Sequence, residues 1–131
     1  MRVVFDTNIF VSALTFPGGR ASEALLKVVA GDVELLVSKA IIHETLDVLA
    51  RKFARETEKL ARVAVYLAEL GTMVRPIRRI TLLTDEQDNR ILECAVSGAA
   101  DVIVSGDKAI LKLGSYHGVR IVTLKEFLET I

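Results

Sequence analysis

The 131-residue chain predicts an α/β fold, a three-layer α/β/α sandwich around a mostly parallel sheet of roughly five strands. Three observations carry that expectation. Short β-branched runs alternate with longer stretches whose apolar residues recur at helical spacing, the order that builds a parallel sheet covered by helices on both faces. Apolar residues make up 51% of the chain with few aromatics, enough for an aliphatic core in one domain spanning residues 1–131. No internal repeat, low-complexity tract or linker interrupts the pattern.

The elements follow in order. Arg2 to Phe5 reads as a strand that ends at Asp6, and Phe16-Pro17-Gly18-Gly19 separates a first helix from a second over Ala21 to Val29, which Gly31 closes. Val33 to Val37 is the next strand, and Ser38 stands where an N-cap belongs for a helix over Lys39 to Ala54. In that helix Ile42, Leu46, Leu49 and Phe53 form one apolar stripe, while Ile41 and Val48 flank Glu44 on the opposite side. Covering both sides leaves Glu44 buried or lining a cleft. A helix over Glu56 to Leu70 is closed by Gly71 and followed by a strand at Met73 to Val74 that extends toward Ile80. Thr84-Asp85-Glu86-Gln87 fits a capping box with Thr84 as N-cap, opening a helix over Glu86 to Ser97 with Asp88 in or near its first turn. Strands at Asp101 to Val104 and Val119 to Val122 and a last helix over Lys125 to Ile131 complete the series.

Composition narrows the function classes. The lone Cys94 forms no intrachain disulfide, and no Cys/His cluster has structural-zinc spacing, which suits a reducing cytoplasm. The N-terminal apolar run is too short for a signal peptide and no stretch approaches a membrane span, so a cytoplasmic protein without membrane contact is expected. Formal net charge is zero, from 17 basic and 17 acidic residues, which argues against bulk attraction to polyanions. That balance hides a split. Residues 51 to 79 carry a net of +5 (Arg51, Lys52, Arg55, Lys59, Arg62, Arg75, Arg78 and Arg79 against Glu56, Glu58 and Glu69), and the remainder carries −5.

Four acids fall at the carboxyl ends of the predicted strands, where ligands bind in doubly wound sheets. Asp6 ends the first strand, Glu44 lies in the helix after the second, Asp88 near the start of the helix after the third, and Asp107 just past the fourth. Asp88 is also what a helix N-terminus favours, and Asp107 is also a natural cap for Lys108-Ala109-Ile110. Asp6, directly after an apolar strand, is the costliest placement without a compensating group. Two carboxylates about 4 Å apart repel by about 4 kcal/mol at an effective dielectric near 20. A divalent cation relieves such a cluster, and an all-oxygen donor set selects Mg²⁺ or Mn²⁺.

Val3-Val4-Phe5-Asp6-Thr7-Asn8, Val37-Ser38 leading to Glu44-Thr45-Leu46, Asp85 to Ala95 around Asp88, and Ile103-Val104-Ser105-Gly106-Asp107 resemble, in order, the four acidic motifs of the PIN domain. The resemblance spans nearly the whole chain and is greatest to the small VapC-like toxins of toxin–antitoxin pairs. It implies a PIN-like, Rossmann-like fold and a metal-dependent ribonuclease. Asp6, Glu44, Asp88 and Asp107 would then hold one or two Mg²⁺ or Mn²⁺ ions whose activated water attacks an RNA phosphodiester. Asn8 and Ser105 match the positions that support the first and fourth acids, with serine where threonine is common. Asp85, Glu86 and Glu93 are neighbours given no site role; Glu93 lies about 140° round the helix from Asp88. His43 and Lys108 are read as surface or packing residues.

Arg75, Arg78 and Arg79 are candidate RNA-binding residues. A homodimer and an antitoxin partner are expected from the resemblance, and the apolar run Val63 to Ala68 suits a subunit contact. Two alternatives stand beside the nuclease: a catalytically silent PIN-like module that binds RNA or protein, and a haloacid-dehalogenase-like phosphatase with Asp6 as nucleophile.

Overall fold

Apolar strands alternating with helices leave the backbone one efficient way to pair its polar groups and bury both strand faces, a parallel sheet between helical layers. The computed structural model describes residues 1–52 and 56–131. The predicted stripe residue Phe53, the predicted helix end at Ala54 and the basic residue Arg55 lie outside the described residues.

The chain runs β1 (Arg2–Phe5), α1 (Thr7–Thr15), α2 (Arg20–Val29), β2 (Glu34–Val37), α3 (Lys39–Lys52), α4 (Thr57–Leu70), β3 (Thr72–Met73), α5 (Glu86–Ser97), β4 (Val102–Val104), α6 (Lys108–Leu111), β5 (Ser115–Tyr116), β6 (Val119–Val122) and α7 (Leu124–Thr130). Among the described residues the sheet has six strands in the order β3-β2-β1-β4-β6-β5. Every pairing is parallel except β5 with β6. The expected α/β/α sandwich is therefore present, with a sixth, short antiparallel strand at one edge. Two residues carry too little periodicity to read as a strand, which is why β5 escaped the sequence pattern.

Burial shows why the strands are apolar throughout. Val3, Val4 and Phe5 of β1, Leu35, Leu36 and Val37 of β2, and Val102, Ile103 and Val104 of β4 are all buried, so successive side chains on opposite faces are both covered. Phe5 packs edge-on against Phe127 of α7 and tilted against Phe10 of α1, with ring centroids 5.7 Å apart in each case. The N-terminal strand and C-terminal helix thus share one aromatic cluster. A capping box between Thr123 and Glu126 opens α7.

Several boundaries have a plain local cause. Gly31, at φ +83°, follows the end of α2 in the left-handed conformation that lets its N–H bond back to Val28. Gly71 is needed for space: a Cβ there would lie 2.8 Å from Val37 Cγ2. The predicted extension of β3 to Ile80 does not form. Pro76 has no N–H for a ladder, and the segment that follows is held by side chains. Ile80 donates its N–H to Glu93 Oε2 (2.8 Å) and accepts from Arg90 Nη2 (3.1 Å), while Leu83 exchanges both backbone groups with Asn89 (2.8 Å each). Arg90 Nε lies 3.0 Å from Glu93 Oε1, an ion pair whose N–H does not point along the contact. Among the described residues, no helix is long and apolar enough to cross a membrane.

Candidate active site

The strand order reverses at β1, which has β2 on one side and β4 on the other. At such a switch point connections leave in opposite directions and a crevice opens beyond the strand ends. Phe5 is in register with Val104 there, and the next residue, Asp6, donates its N–H to Val104 O (3.0 Å). Ser105 leaves β4 on the same line. Its buried hydroxyl donates to Asp6 Oδ2 (2.7 Å) and accepts from Asp107 N–H (3.0 Å). One hydroxyl therefore ties the Asp6 carboxylate to the Asp107 backbone.

Of the helices that begin at this edge, three do so behind an aspartate. Asp6 caps α1 through a 3.4 Å bond from Asn8 N–H. Asp85 caps α5 through a 2.8 Å bond from Gln87 N–H. Asp107 caps α6, accepting from Ala109 N–H (2.9 Å) and Ile110 N–H (3.1 Å). The cap of α5 is Asp85, one residue past the predicted Thr84. Orphan N–H groups and the positive ends of helices draw carboxylates here.

The carboxylates line a cleft of about 100 Å³. Asp6, Glu44, Asp85, Asp88 and Asp107 supply its acids, with Thr7, Asn8, Gln87 and Val48 completing the lining; no lysine, arginine or histidine is among these residues. Glu44 is half-buried beside Val48, as its place between two apolar sides of α3 predicts. Burial pushes the Asp6 carboxyl above the ordinary aspartate range, and the Ser105 hydroxyl opposes that shift. Asp88 is pushed up to about 7, first by burial, then by the charges of Asp107, Asp85 and Asp6, and by a hydrogen bond with Asp107. These groups resist becoming anions together.

All four predicted acids therefore reach one cleft. Among the described residues, no three Asp, Glu, His or Cys side chains close tightly enough to hold one ion between them. Mutual repulsion opposes closer approach of the carboxylates themselves. An oxygen-only donor set without a basic side chain on the lining, and with two acids displaced toward protonation, fits a divalent cation.

Other placements differ from the sequence reading. Asp85, given no site role, lines the cleft; it sits three residues before Asp88, a helical spacing that puts the two on one face. Glu93 does point away and is buried against Arg90. Glu86 lies outside the cleft, near Arg79 (3.6 Å) and Arg90 (3.5 Å). Asn8 supports Asp6 through its backbone, with its side chain left to the lining. Arg75, Arg78 and Arg79 are exposed and none lines the cleft.

A parallel sheet with an acid-lined cleft at its switch point defines a class of α/β proteins with a polar site at the strand ends. The PIN domain family model matches residues 2–109, and the chain belongs to that family, whose members are typically nucleases acting with divalent metal. The chain is 26% identical to the uncharacterized protein MJ1680 of Methanocaldococcus jannaschii, over 98% of this chain and 90% of that one. A chain of VapBC2 from Rickettsia felis, solved bound to a DNA fragment from its promoter, superposes with a TM-score of 0.68. That match has 13% identity and covers 94% of this chain and 98% of the other, a likeness of fold.

Proposed function

We propose that the protein is a Mg²⁺- or Mn²⁺-dependent endoribonuclease and the toxin of a toxin–antitoxin pair. The observation that carries the catalytic reading is the convergence of Asp6, Glu44, Asp88 and Asp107 on one cleft without a lining cation. Asp6, Glu44, Asp88 and Asp107 would hold the metal, no more than two of them reaching one ion directly and the others acting through water. One or two ions bound there supply Lewis-acid stabilisation for phosphodiester hydrolysis.

The chain's own groups have separate tasks. Ser105 fixes the Asp6 carboxylate from one oxygen and the Asn8 N–H holds the other. Asp107 Oδ1 is held by the two cap bonds, which turns its carboxylate toward Asp88, with which it shares a hydrogen bond. Burial and the charges of Asp107, Asp85 and Asp6 push the Asp88 carboxyl up to about 7, a cost of ionising it that a bound cation would offset. Asp85 adds negative charge beside Asp88 and raises the demand for a cation.

Arg75, Arg78 and Arg79 are the proposed RNA contacts outside the cleft, on the exposed segment between β3 and α5. The toxin role draws support from the Rickettsia complex, and an antitoxin is the proposed partner. A homodimer is proposed through α4, whose Val65 and Tyr66 are exposed. Membership of the PIN family leaves the phosphatase alternative without support.

The test is cleavage of a mixed pool of single-stranded and structured RNA by the purified protein, with Mn²⁺ or Mg²⁺ against EDTA, beside Asp6→Asn. Metal-dependent cutting that is lost in the variant is the expected result. Equal cutting by the variant would overturn the assignment, and no cutting by a protein that binds metal in calorimetry would favour the silent RNA- or protein-binding module.

A further inference from the structure

Beside the carboxylate cleft lies a second depression, of about 350 Å³, whose lining includes Lys39, His43, Glu86, Gln87 and Arg90. Glu44 and Gln87 line both, so the two hollows adjoin across these side chains. Its charges sort into matched and unmatched groups. Glu86 lies 3.6 Å from Arg79 and 3.5 Å from Arg90, and Arg90 lies 3.0 Å from the buried Glu93. Two acids are thereby matched by two arginines, while Glu44, shared with the cleft and counted there among the acids proposed to hold metal, has no ion-pair partner among the described residues. Lys39 is exposed and has no ion-pair partner among the described residues. His43 Nδ1 lies 3.6 Å from Asp47 Oδ2, which leaves the other ring nitrogen for a ligand.

A polynucleotide that sets one phosphate at the cleft must lay its neighbouring phosphates on adjoining surface. Acidic surface repels them, and an unmatched lysine attracts them. A hollow of this volume, unlike a flat basic patch, also admits a base swung out of its stack, as single-stranded RNA permits.

We propose that this depression is a nucleotide subsite flanking the scissile phosphate of single-stranded RNA. Lys39 takes the phosphate, and Gln87 and His43 offer hydrogen bonds to the sugar or base. The assignment rests on the nuclease reading of the adjoining cleft. Lys39 and His43 are positioning residues, since they act on the strand beside the reacting bond.

The experiment measures anisotropy of a labelled single-stranded oligoribonucleotide against Asp6→Asn protein, alone and combined with Lys39→Gln, His43→Gln or the remote control Lys125→Gln. Lys39→Gln should weaken binding about three- to tenfold at low salt and make the slope of log affinity against log salt shallower by about 0.7. In the otherwise native enzyme the same change should raise KM while kcat stays within about twofold. Lys125→Gln should change neither. Metal-dependent cutting by the native chain together with unaltered affinity, salt slope and KM in Lys39→Gln would overturn the subsite and leave the nuclease standing. A native chain that neither cuts nor binds RNA would overturn both.

Discussion

Asp88→Asn separates a cation-demanding acid cluster from an ordinary surface one. In the folded chain the Asp88 carboxyl is pushed up to about 7, against 3.8 for an unperturbed aspartate. Between those values the folded chain holds a proton that the unfolded chain has lost, so stability falls as pH rises through that window and levels off above it. The raised Asp6 carboxyl acts with the same sign. One proton sets a limiting slope of about 1.4 kcal/mol per pH unit, and a displacement of about three units would reach about 4 kcal/mol. Solvent and salt at the cleft mouth screen the charges, which brings the expected loss to about 1–2 kcal/mol. That corresponds to about 3–8 °C in Tm for a chain of this length. Thermal unfolding followed by far-UV circular dichroism in EDTA, at pH 5 and pH 8, measures it. The native chain should lose stability between the two, and Asp88→Asn should lose less, matching it at pH 5 and exceeding it at pH 8. Mn²⁺ at about a hundredfold excess over its Kd should restore about 2.7 kcal/mol to the native chain and less to the variant. Parallel pH curves for the two proteins, with equal gains from Mn²⁺, would refute the reasoning.

Three further outcomes follow from the fold. Phe127→Ala opens the cluster around Phe5 and should cost about 3–5 kcal/mol in urea unfolding. Gly71→Ala drives a Cβ into Val37, so it should destabilise the chain in the same assay. Burial pushes the Cys94 thiol up to about 12, so in the native chain its reaction with a disulfide reagent should proceed only at the rate at which the surrounding helix opens, and rapid stoichiometric labelling would contradict this.

The parallel core was legible in the sequence because burial on both faces demands uninterrupted apolar runs. β1, α5 and β6 fall at Arg2–Phe5, Glu86–Ser97 and Val119–Val122, their predicted bounds. The failures lie where side chains replace the ladder. Pro76 is a signal against a strand in this segment, but nothing in Val74 to Leu83 announces that Glu93, Arg90 and Asn89, in a helix further along the chain, will satisfy its backbone, so the β-branched Val74, Ile77 and Ile80 read as a strand's extension. The two-residue strands β3 and β5 are products of tertiary pairing, with no period long enough to detect.

At the site, capping a helix and lining the cleft are not exclusive, although the sequence reading set them apart for Asp107. Asp6 and Asp107 each cap a helix and each line the cleft. The two roles share a cause: in a parallel sheet every following helix presents its N-terminus at the carboxyl edge, so residues selected to cap those helices are delivered to one place. Asp85 belongs to the same set, and its spacing of three from Asp88 was the available signal. What distinguishes this edge from a row of ordinary caps is the lack of balance. Helix ends contribute about half a charge each, and three such ends fall short of five carboxylates on one lining. Burial first, and the neighbouring carboxylates second, raise the Asp6 and Asp88 carboxyls, and a divalent ion is the charge that would offset both.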